Sequence, residues 1–597
     1  MKTRLIRALL LSLTFLSLSF TQGKPEITAD ELRNHIRFLA SDKLEGRGTG
    51  TEGERLASEY LAQQFKRIGL KVVGSGGYFQ KFGFTSGVKL GDNNTAMITT
   101  GGSGKSLVLN LDFRPMGFSS SDSFDGEVVF AGYGISLPDK QYDDYTGIDV
   151  AGKAVVILRN HPDGDNPHSE FGLGAALRYK TAKAKEKGAK VVIFVTGPAD
   201  DEKDILVPLT YDQSMGDAGI MAITVTRDAA AWLVGPTTIA SLQQDINGKK
   251  KPNSFPLAGK RFSLSTQVLK VETSGTNVLG FLEGGDKLLQ KENVIIGAHY
   301  DHLGLGGSGS LTPDTVAIHN GADDNASGTA GLLELAEFLS SRRSELRRSV
   351  LFIAFSGEER GLLGSAFYVK NPLLPLDQSV AMINMDMIGR MNNRKLIVYG
   401  IGTSPGFEQL VTAHNADSTF DLRLVKDGFG PSDHSSFYAS GIPVFHFFTD
   451  LHSDYHKPSD DWDKINYEGM TSILNFVASI ALDVNQGVER PSYVRVDAPR
   501  QPTASGQGRA RSYTGTIPDF GEQVEGMQIS GVTDGSPAAK AGLQGGDVIV
   551  KFGKIEIKNL YDYTFALGEY KPGDEVEVIV KRGTETKNFR LTIGKRN

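Results

Sequence analysis

Acidic residues and histidines stand at the ends of four apolar stretches between residues 290 and 485. The stretches are "ENVIIGAHYDH" with His299, "SVLFIAFSGEER" with Glu358 and Glu359, "VAMINMDMIG" with Asp386, and "IPVFHFFTDLHSDYHKPSDD" with His456. They alternate with helical patterns, which predicts the buried strands of a mainly parallel sheet. Ligands of open α/β sheets bind at the carboxyl ends of the strands. We therefore expect these side chains to meet at one edge of the sheet.

Two adjacent aspartates, Asp323 and Asp324, lie in the small-residue segment "GADDNASG" of the same region. Neighbouring carboxylates repel each other unless a cation or a proton lies between them. Imidazoles and carboxylates without thiolates suit zinc and its first-row neighbours, and their number exceeds what one tetrahedral ion needs. Two ions that share a carboxylate would use two histidines and three acids, which leaves one acid for proton transfer. The spacing alone does not decide which aspartate is shared.

Five motifs of this region follow one another in the order of a known family. They are "GAHYDHLG", "GADDNASGTAGLLELA", "FSGEERGLLGS", "INMDMIG" and "DYHKPSDD". As a set they resemble the secreted di-zinc aminopeptidases, metallopeptidase family twenty-eight, over residues of about 28–120 and 260–485. The resemblance implies two Zn²⁺ ions per chain and the hydrolysis of N-terminal residues from peptides by a water that the two metal ions activate. The implied fold is α/β, with a mixed, mainly parallel sheet flanked by helices.

The resemblance also implies which residues hold the metal ions. The implied ligands are His299, Asp324, Glu359, Asp386 and His456. Asp324 is the shared carboxylate because the family's bridging acid directly precedes an asparagine, and the peptide bond between Asp324 and Asn325 is expected to be cis. Asp323 is interpreted as a loop or helix-capping residue. The remaining histidines of this region are interpreted as structural: His302, His319, His446 and His452.

Three further residues are predicted to act in catalysis: Glu358, Asp301 and Tyr455. The resemblance implies that Glu358 is the general base, which takes a proton from water and passes it to the leaving amine. Asp301 lies two residues after His299 and can accept the second ring N–H of that histidine, an arrangement that is usual for a metal-bound imidazole. Tyr455 matches a tyrosine that helps to polarise the substrate carbonyl in part of the family.

The segment "GERLASEYLAQQFKRIGL" predicts a helix ahead of these motifs. Its spacing places Leu56, Tyr60, Leu61 and Phe65 on one face. Gly69 follows as a stop signal. We therefore expect a helix with one apolar face in the N-terminal part of the chain.

The patterns around the motifs predict several domains. Residues 124–255 have their own strand–helix–strand pattern and resemble a β-rich protease-associated domain inserted into such peptidases. Residues 512–597 resemble a PDZ-like β/α domain, in which Ser536 is the N-cap, Pro537 the first residue and Gly542 the stop of a helix. The predicted boundaries are 1–23 for a signal peptide, 24–123 and 256–486 for the two parts of the peptidase domain, 124–255 for the inserted domain, 487–511 for a linker and 512–597 for the PDZ-like domain.

The composition limits the partners of the protein. The chain has 597 residues, a formal net charge of -6 and no long basic run, so nucleic acid is not an expected partner. Cysteine is absent from the sequence, which excludes disulfides and cysteine-ligated metal. Peptide substrates are expected, together with a C-terminal peptide ligand of the PDZ-like domain. That ligand would bind by strand addition, with its carboxylate near Tyr513–Thr516.

The N-terminal residues "MKTRLIRALLLSLTFLSLSFTQGKPE" have the pattern of a secretory signal peptide. Lys2, Arg4 and Arg7 precede an apolar run from Ala8 to about Phe20, which is short for a membrane span. We therefore expect cleavage, export to the periplasm or out of the cell, and no stable membrane span afterwards.

Two other functions remain open on the sequence. A carboxypeptidase of the same fold would need cationic residues aimed at a terminal carboxylate, and the sequence does not show which side chains point into the cleft. A non-catalytic peptide-binding scaffold derived from a peptidase would be expected to have lost metal ligands. Here every matched ligand and Glu358 are present.

Overall fold

The computed structural model describes residues 26–164, 169, 171–211, 217–235, 237–307, 309–312, 315–496, 512–518, 526–532, 535–557, 563, 566–567 and 570–595. The predicted signal peptide lies outside these residues, as does most of the predicted linker. Among the described helices, none has the length and apolar composition that crossing a membrane requires.

The first sheet contains the apolar stretches that the sequence predicts as buried strands. Within the described residues it has eight strands, in the order Phe79–Leu90, Val268–Leu282, Ser349–Phe355, Asn293–His299, Ser379–Met385, Val444–Phe448, Lys395–Tyr399 and Asp421–Val425. The four central strands, from Ser349–Phe355 to Val444–Phe448, are parallel to one another. Their outer neighbours on both sides pair antiparallel to them. The predicted mixed, mainly parallel sheet is confirmed.

The central strands are covered on both faces. All seven residues of Ser349–Phe355 are buried. Phe352 belongs to one apolar core and its neighbour Ile353 to another, because successive side chains of a strand point to opposite faces. This explains why the strands read as continuous apolar runs rather than as alternating patterns.

Helices form the layers on the two faces of this sheet. The helices of the larger core are Ala29–Leu39, Glu52–Ile68, Gly328–Ser341, Phe407–His414 and Tyr467–Gln486, and those of the smaller core are Leu363–Lys370 and His434–Ala439. Glu52–Ile68 is the predicted N-terminal helix. Leu61 and Phe65 are buried on it, and Gly69 ends it with a left-handed φ of 87°. The stop signal read from the sequence is therefore confirmed.

A second sheet lies in the part of the chain where the inserted domain is predicted. Its described strands follow the order Ser103–Leu107, Thr95–Thr100, Ser254–Ser265, Ser123–Ala131, Ala154–Leu158, Val191–Val195, Met221–Val225 and Phe113–Pro115. Its helices are Leu177–Glu186, Arg227–Val234 and Ile239–Lys249. The sheet extends beyond the predicted bounds of 124–255, because Ser254–Ser265 pairs with Thr95–Thr100.

The C-terminal residues form a third sheet. Its main described strands follow the order Thr516–Pro518, Met527–Val532, Val548–Phe552, Glu575–Arg582 and Glu585–Thr592. The helix Pro537–Ala541 begins after the N-cap Ser536 and ends at Gly542, as the sequence predicts. The strand Thr516–Pro518 stands at the end of the strand order, which is the position that peptide binding by strand addition uses.

Candidate metal centre

The carboxyl edge of the first sheet brings the predicted site residues together. One of them is the last residue of a central strand, and the others stand in the loops after the central strands or in the segment Ala322–Ser327, which leads into the helix Gly328–Ser341. The residues concerned are His299, Asp324, Glu358, Glu359, Asp386 and His456. The expected meeting of these side chains at one sheet edge is therefore observed.

Asp324 lies between two histidines, and its two carboxylate oxygens face different ones. Oδ1 is 3.3 Å from Nε2 of His299, and Oδ2 is 3.2 Å from Nε2 of His456. The same His299 nitrogen is 3.3 Å from Oδ1 of Asp386. The same His456 nitrogen is 3.2 Å from Oε2 of Glu359. Asp324 therefore connects two groups of possible ligand atoms.

These separations suit donor atoms that share a metal ion. Two ligand atoms at about 2.0–2.1 Å from one tetrahedral ion lie roughly 3.3 Å apart. The donor set contains nitrogen and oxygen but no sulfur, which is compatible with zinc. In the described part of the chain, Oδ1 of Asp386 is buried and accepts no hydrogen bond, and Nε2 of His299 lies 3.3 Å from it. The residues therefore fit the two zinc ions that the sequence resemblance implies.

Main-chain carbonyls orient both histidines. Nδ1 of His299 is 3.1 Å from the carbonyl oxygen of Asp301, and Nδ1 of His456 is 2.9 Å from that of Gly309. With the proton on Nδ1, each ring presents Nε2 to the carboxylates. From the sequence, the Asp301 carboxylate is the expected acceptor for His299. The nearer acceptor is instead the main-chain carbonyl, because Oδ1 of Asp301 is 3.7 Å from the ring nitrogen.

The carboxylate of Asp301 connects two other parts of the centre. Its Oδ1 accepts the main-chain N–H of Glu358 at 3.2 Å. Its Oδ2 accepts a hydrogen bond from the Thr49 hydroxyl at 2.8 Å. Asp301 is fully buried, so these contacts fix the start of the loop that carries Glu358.

Glu358 stands close to the first group of ligand atoms. Glu358, His299 and Asp386 each place one possible ligand atom within 4.8 Å of the other two. The atoms are a ring nitrogen of His299 and a carboxylate oxygen of each acid. Burial raises the pKa of Glu358 well above its usual range, and the charges of Glu359 and Asp386 add to this effect, although His299 opposes it. A carboxyl group with a raised pKa can take up and hold a proton near neutral pH.

The histidines stabilise the charges of the other carboxylates. Burial works to raise the pKa of Glu359, but His302 and His456 lower it to about 2. Burial likewise opposes the charge of His456, whereas Glu359 and Asp324 raise its pKa to about 11. The pKa of Asp324 lies well below its usual range despite burial, since three histidines surround it. Asp324 and Glu359 are therefore ionised, which is the form that binds metal.

A cavity opens next to these groups. The ring of Tyr455 stacks on that of His456, with centroids 3.8 Å apart. The cavity is lined by Asp324, Glu358, Asp386, Met387, Tyr399, Pro431, His446, Phe448, Leu451, Tyr455 and His456. Arg and Lys are absent from these described lining residues. Beside the candidate ligands, the cavity thus offers the Glu358 carboxylate, phenol groups and apolar surface.

His302 stands inside the second group of ligand atoms. Its Nδ1 is 2.6 Å from Oε1 of Glu359 and 3.8 Å from Oδ2 of Asp324. The ring is buried, and its Nδ1 faces the Glu359 carboxylate. The structure thus places His302, which is interpreted from the sequence as a structural histidine, among the possible ligand atoms. Its place directly after Asp301, within the motif "HYDH", is the sequence signal that points to the site.

Asp323 faces away from the two groups. Its Oδ1 accepts the main-chain N–H of Gly389 at 2.6 Å, and its Oδ2 is 3.2 Å from Nε2 of His452. The peptide bond between Asp324 and Asn325 is cis, as the resemblance implies. The geometry thus supports Asp324 as the shared carboxylate.

Comparison with known proteins defines the class of the molecule. Residues 277–481 match the family model described as Peptidase family M28, and residues 510–593 match the PDZ domain. The protein is therefore a peptidase, a hydrolase of peptide bonds. Its residues 277–481 are similar to peptidase family M28, and it carries a C-terminal PDZ domain.

Curated relatives and solved structures include aminopeptidases. Aminopeptidase YwaD of Bacillus subtilis (strain 168) is 25% identical over 419 residues, which are 65% of this chain and 79% of the relative. An aminopeptidase of Pseudomonas aeruginosa (strain UCBPP-PA14) is 25% identical over 426 residues, which are 69% of this chain and 68% of the relative. The solved aminopeptidase from Aneurinibacillus sp. strain AM-1 covers 79% of this chain and 97% of its own, with 23% identity and a TM-score of 0.46.

Proposed function

We propose that the protein is an exported, zinc-dependent aminopeptidase that removes N-terminal residues from peptides, with a water activated by two metal ions and with Glu358 as general base. The class of the enzyme, a metallo-aminopeptidase, follows from the family match and from relatives that are named aminopeptidases. The observation that carries the two-metal proposal is the position of Asp324, whose two oxygens face His299 and His456.

Two groups of this chain's residues would hold the metal. His299 and Asp386 form one group with Asp324, and Glu359 and His456 form the other with the same carboxylate. Zinc, when bound there, supplies a water of lowered pKa and polarises the substrate carbonyl. Two candidate clusters of ligand atoms at this edge support a count of two: His299 with Glu358 and Asp386, and His302 with Asp324 and Glu359.

Glu358 is the residue that moves the proton. Its carboxylate takes a proton from water and passes it to the leaving amine, and its raised pKa suits this exchange near neutral pH. Asp301 holds the main chain at Glu358 and so keeps the base in place. Tyr455 would donate its hydroxyl to the carbonyl oxygen as negative charge develops there. Stacking on His456 fixes the Tyr455 ring for this contact.

The lining of the cavity favours a substrate amine over a substrate carboxylate. Glu358 lines the cavity and is not one of the proposed metal ligands, and its carboxylate would attract a free ammonium group. A carboxypeptidase would need a cation for the terminal carboxylate, and the described lining residues include neither Arg nor Lys. A non-catalytic scaffold is disfavoured because all the proposed ligands are present and converge.

The proposal extends to the parts of the chain outside the centre. The signal-peptide pattern of residues 1–23 supports export, to the periplasm or out of the cell, without a stable membrane span afterwards. The inserted unit is predicted as a protease-associated domain over residues 124–255. It would form one side of the substrate cleft or control access to it. The PDZ domain would bind the C-terminal end of a peptide along Thr516–Pro518. This contact would either bring substrates to the centre or dock the enzyme on another exported protein.

Three versions of one peptide test the proposed function. The zinc-loaded protein is incubated with the free peptide, with an N-acetylated form and with a C-amidated form, and the products are followed by mass spectrometry. We expect stepwise loss of N-terminal residues from the free and C-amidated peptides and no cleavage of the acetylated one. Cleavage of the acetylated peptide, or a requirement for the free C-terminal carboxylate, would contradict the proposal.

A further inference from the structure

A buried arginine from the N-terminal part of the chain reaches the back of the candidate metal centre. Arg47 is fully buried. Its guanidinium donates hydrogen bonds to four main-chain carbonyls: Nε to Tyr300 at 2.7 Å, Nη1 to Leu39 and, at 2.7 Å, to Asn320, and Nη2 to Gly321 at 2.9 Å. The Arg47 side chain thus links three parts of the chain: the end of the helix Ala29–Leu39, the residue after the strand Asn293–His299, and residues 320–321.

Two of these carbonyls belong to the residues that lead to the shared carboxylate. Asn320 and Gly321 directly precede the segment Ala322–Ser327, which contains Asp324. A guanidinium is planar and presents its donors in a fixed fork. Because the fork holds two successive carbonyls, it sets the direction in which the main chain enters this segment.

Two residues after Arg47, Thr49 contacts Asp301, which supports the loop of Glu358. Its hydroxyl donates to Oδ2 of Asp301 at 2.8 Å. The other oxygen of Asp301 accepts the main-chain N–H of Glu358. The segment Arg47–Thr49 therefore touches the supports of both the shared carboxylate and the proposed base.

The main chain that leads to the Arg47 side chain is tightly packed and has an unusual conformation. Glu45, Gly46 and Arg47 have positive φ angles of 45°, 67° and 50°. A Cβ atom at Gly46 would lie 2.4 Å from the carbonyl oxygen of His319 and 2.5 Å from that of Gly304. A positive φ is unfavourable for arginine, and the four hydrogen bonds of the guanidinium oppose that cost.

The charge of Arg47 does not by itself explain this position. Burial lowers its pKa to about 10, while Asp301 and Asp324 work against that lowering. Arg47 is therefore positively charged at neutral pH. A fixed positive charge near metal ligands repels a metal ion, so the charge alone would weaken zinc binding. The contacts with the carbonyls act in the opposite direction, because they order a ligand-bearing segment.

We propose that the segment Arg47–Thr49 positions the metal centre. Arg47 sets the main chain that leads to Asp324, and Thr49 holds Asp301 and with it the loop of Glu358. This inference rests on the proposed function, since it concerns how tightly the two-zinc centre forms.

The test compares zinc binding by three variants of the full chain: Arg47→Met, Arg47→Lys and Arg348→Met. Arg348 is a matched control, because it is also fully buried. Its guanidinium donates to Glu292 and to the carbonyls of Val484, Asn485 and Gly487. Arg348 directly precedes the strand Ser349–Phe355, and the metal centre lies beyond the other end of this strand. Because a strand rises about 3.3 Å per residue, Arg348 lies roughly 20 Å from the centre.

The measurements are the zinc Kd, by competition with a chromophoric chelator, and the thermal unfolding of the metal-free protein. We expect Arg47→Met to raise the zinc Kd about 10- to 100-fold, the usual effect of losing a residue that supports a ligand. Arg47→Lys keeps the positive charge but loses the planar set of guanidinium donors, so the zinc Kd of this variant should rise as well. Arg348→Met should lower the unfolding temperature and leave the zinc Kd unchanged.

Zinc binding by Arg47→Met that is as tight as that of the unaltered protein, or tighter, would overturn the inference. Zinc binding by Arg47→Lys that is as tight as that of the unaltered protein would also overturn it, since the planar guanidinium would then not be needed. An equal loss of zinc affinity in Arg348→Met would overturn it too. If Arg47→Met does not fold, Thr49→Val supplies the test, and an unchanged zinc Kd in that variant counts against the inference. If the unaltered protein binds no zinc, the proposed function itself fails.

Discussion

The carboxylate of Asp460 accepts the main-chain N–H of Asp324 at 3.1 Å. The same oxygen accepts the N–H of the preceding residue, Asp323, at 2.9 Å. Beyond this common support the two side chains diverge. Asp324 faces His299 and His456, whereas Asp323 binds the N–H of Gly389. Two adjacent residues of the same type thus serve different purposes.

Substitution of each aspartate by asparagine should separate these purposes. Asp324→Asn removes the shared carboxylate, so we expect loss of zinc and of activity. Asp323→Asn should keep both zinc ions, while the changed contacts with Gly389 and His452 lower the free energy of unfolding by about 1–3 kcal/mol. Metal content by mass spectrometry and denaturant unfolding would measure the two effects. Equal loss of zinc from both variants would show that the choice of Asp324 is mistaken.

Glu358→Gln should leave the metal in place and stop the reaction. The substitution keeps the shape of the side chain but removes its ability to accept a proton, so kcat should fall by roughly 10²- to 10⁴-fold. Zinc content and peptide turnover are measured on the same sample. Since Glu358 lies near His299 and Asp386, loss of a zinc ion in this variant would mean that Glu358 is a ligand rather than the base.

Tyr455→Phe should lower kcat without affecting zinc binding. The phenylalanine ring keeps the stacking contact with His456, and only the hydroxyl that would stabilise the oxyanion is lost. Such donors contribute about 10²- to 10³-fold to kcat. Tyr399→Phe is the control, because Tyr399 lines the same cavity. If both variants retain full kcat, Tyr455 has no role in polarising the carbonyl.

Deletion of residues 512–597 should leave the hydrolysis of small aminoacyl substrates almost unchanged. The proposed ligands all precede residue 457, and the first sheet is built from residues 79–448. The expected effect is confined to longer peptides that bind the PDZ domain. A truncated protein that is folded and loaded with zinc, yet hydrolyses no small substrate, would show that the PDZ domain is part of the active site.

The features that the sequence predicts are those with a local pattern. The helix Glu52–Ile68 is predicted by the spacing of Leu61 and Phe65 and by the stop at Gly69, and the structure confirms it. The gathering of acids and histidines at strand ends follows from the geometry of parallel sheets. The choice between Asp323 and Asp324 has no local signal, because both stand in the same small-residue segment, and only the family resemblance separates them.

The features that the sequence does not predict depend on contacts between distant residues. Arg47 and Gly321 are 274 positions apart, and nothing in the spacing of either one indicates the other. The limits of the second sheet are not predicted for the same reason. Its strands Thr95–Thr100 and Ser254–Ser265 pair with each other although they are far apart in the sequence. The contact of His302 is not predicted either, because its place after Asp301 indicates only that it lies near the site and not which side chain it meets. Its closeness to Glu359 is set by the fold.

Anomalous X-ray diffraction at the zinc edge, from crystals of the zinc-loaded protein, tests whether two metal ions share Asp324. We expect two anomalous peaks on either side of the Asp324 carboxylate, one against His299 and Asp386 and the other against Glu359 and His456. A single peak, or two peaks that do not share Asp324, would contradict this expectation.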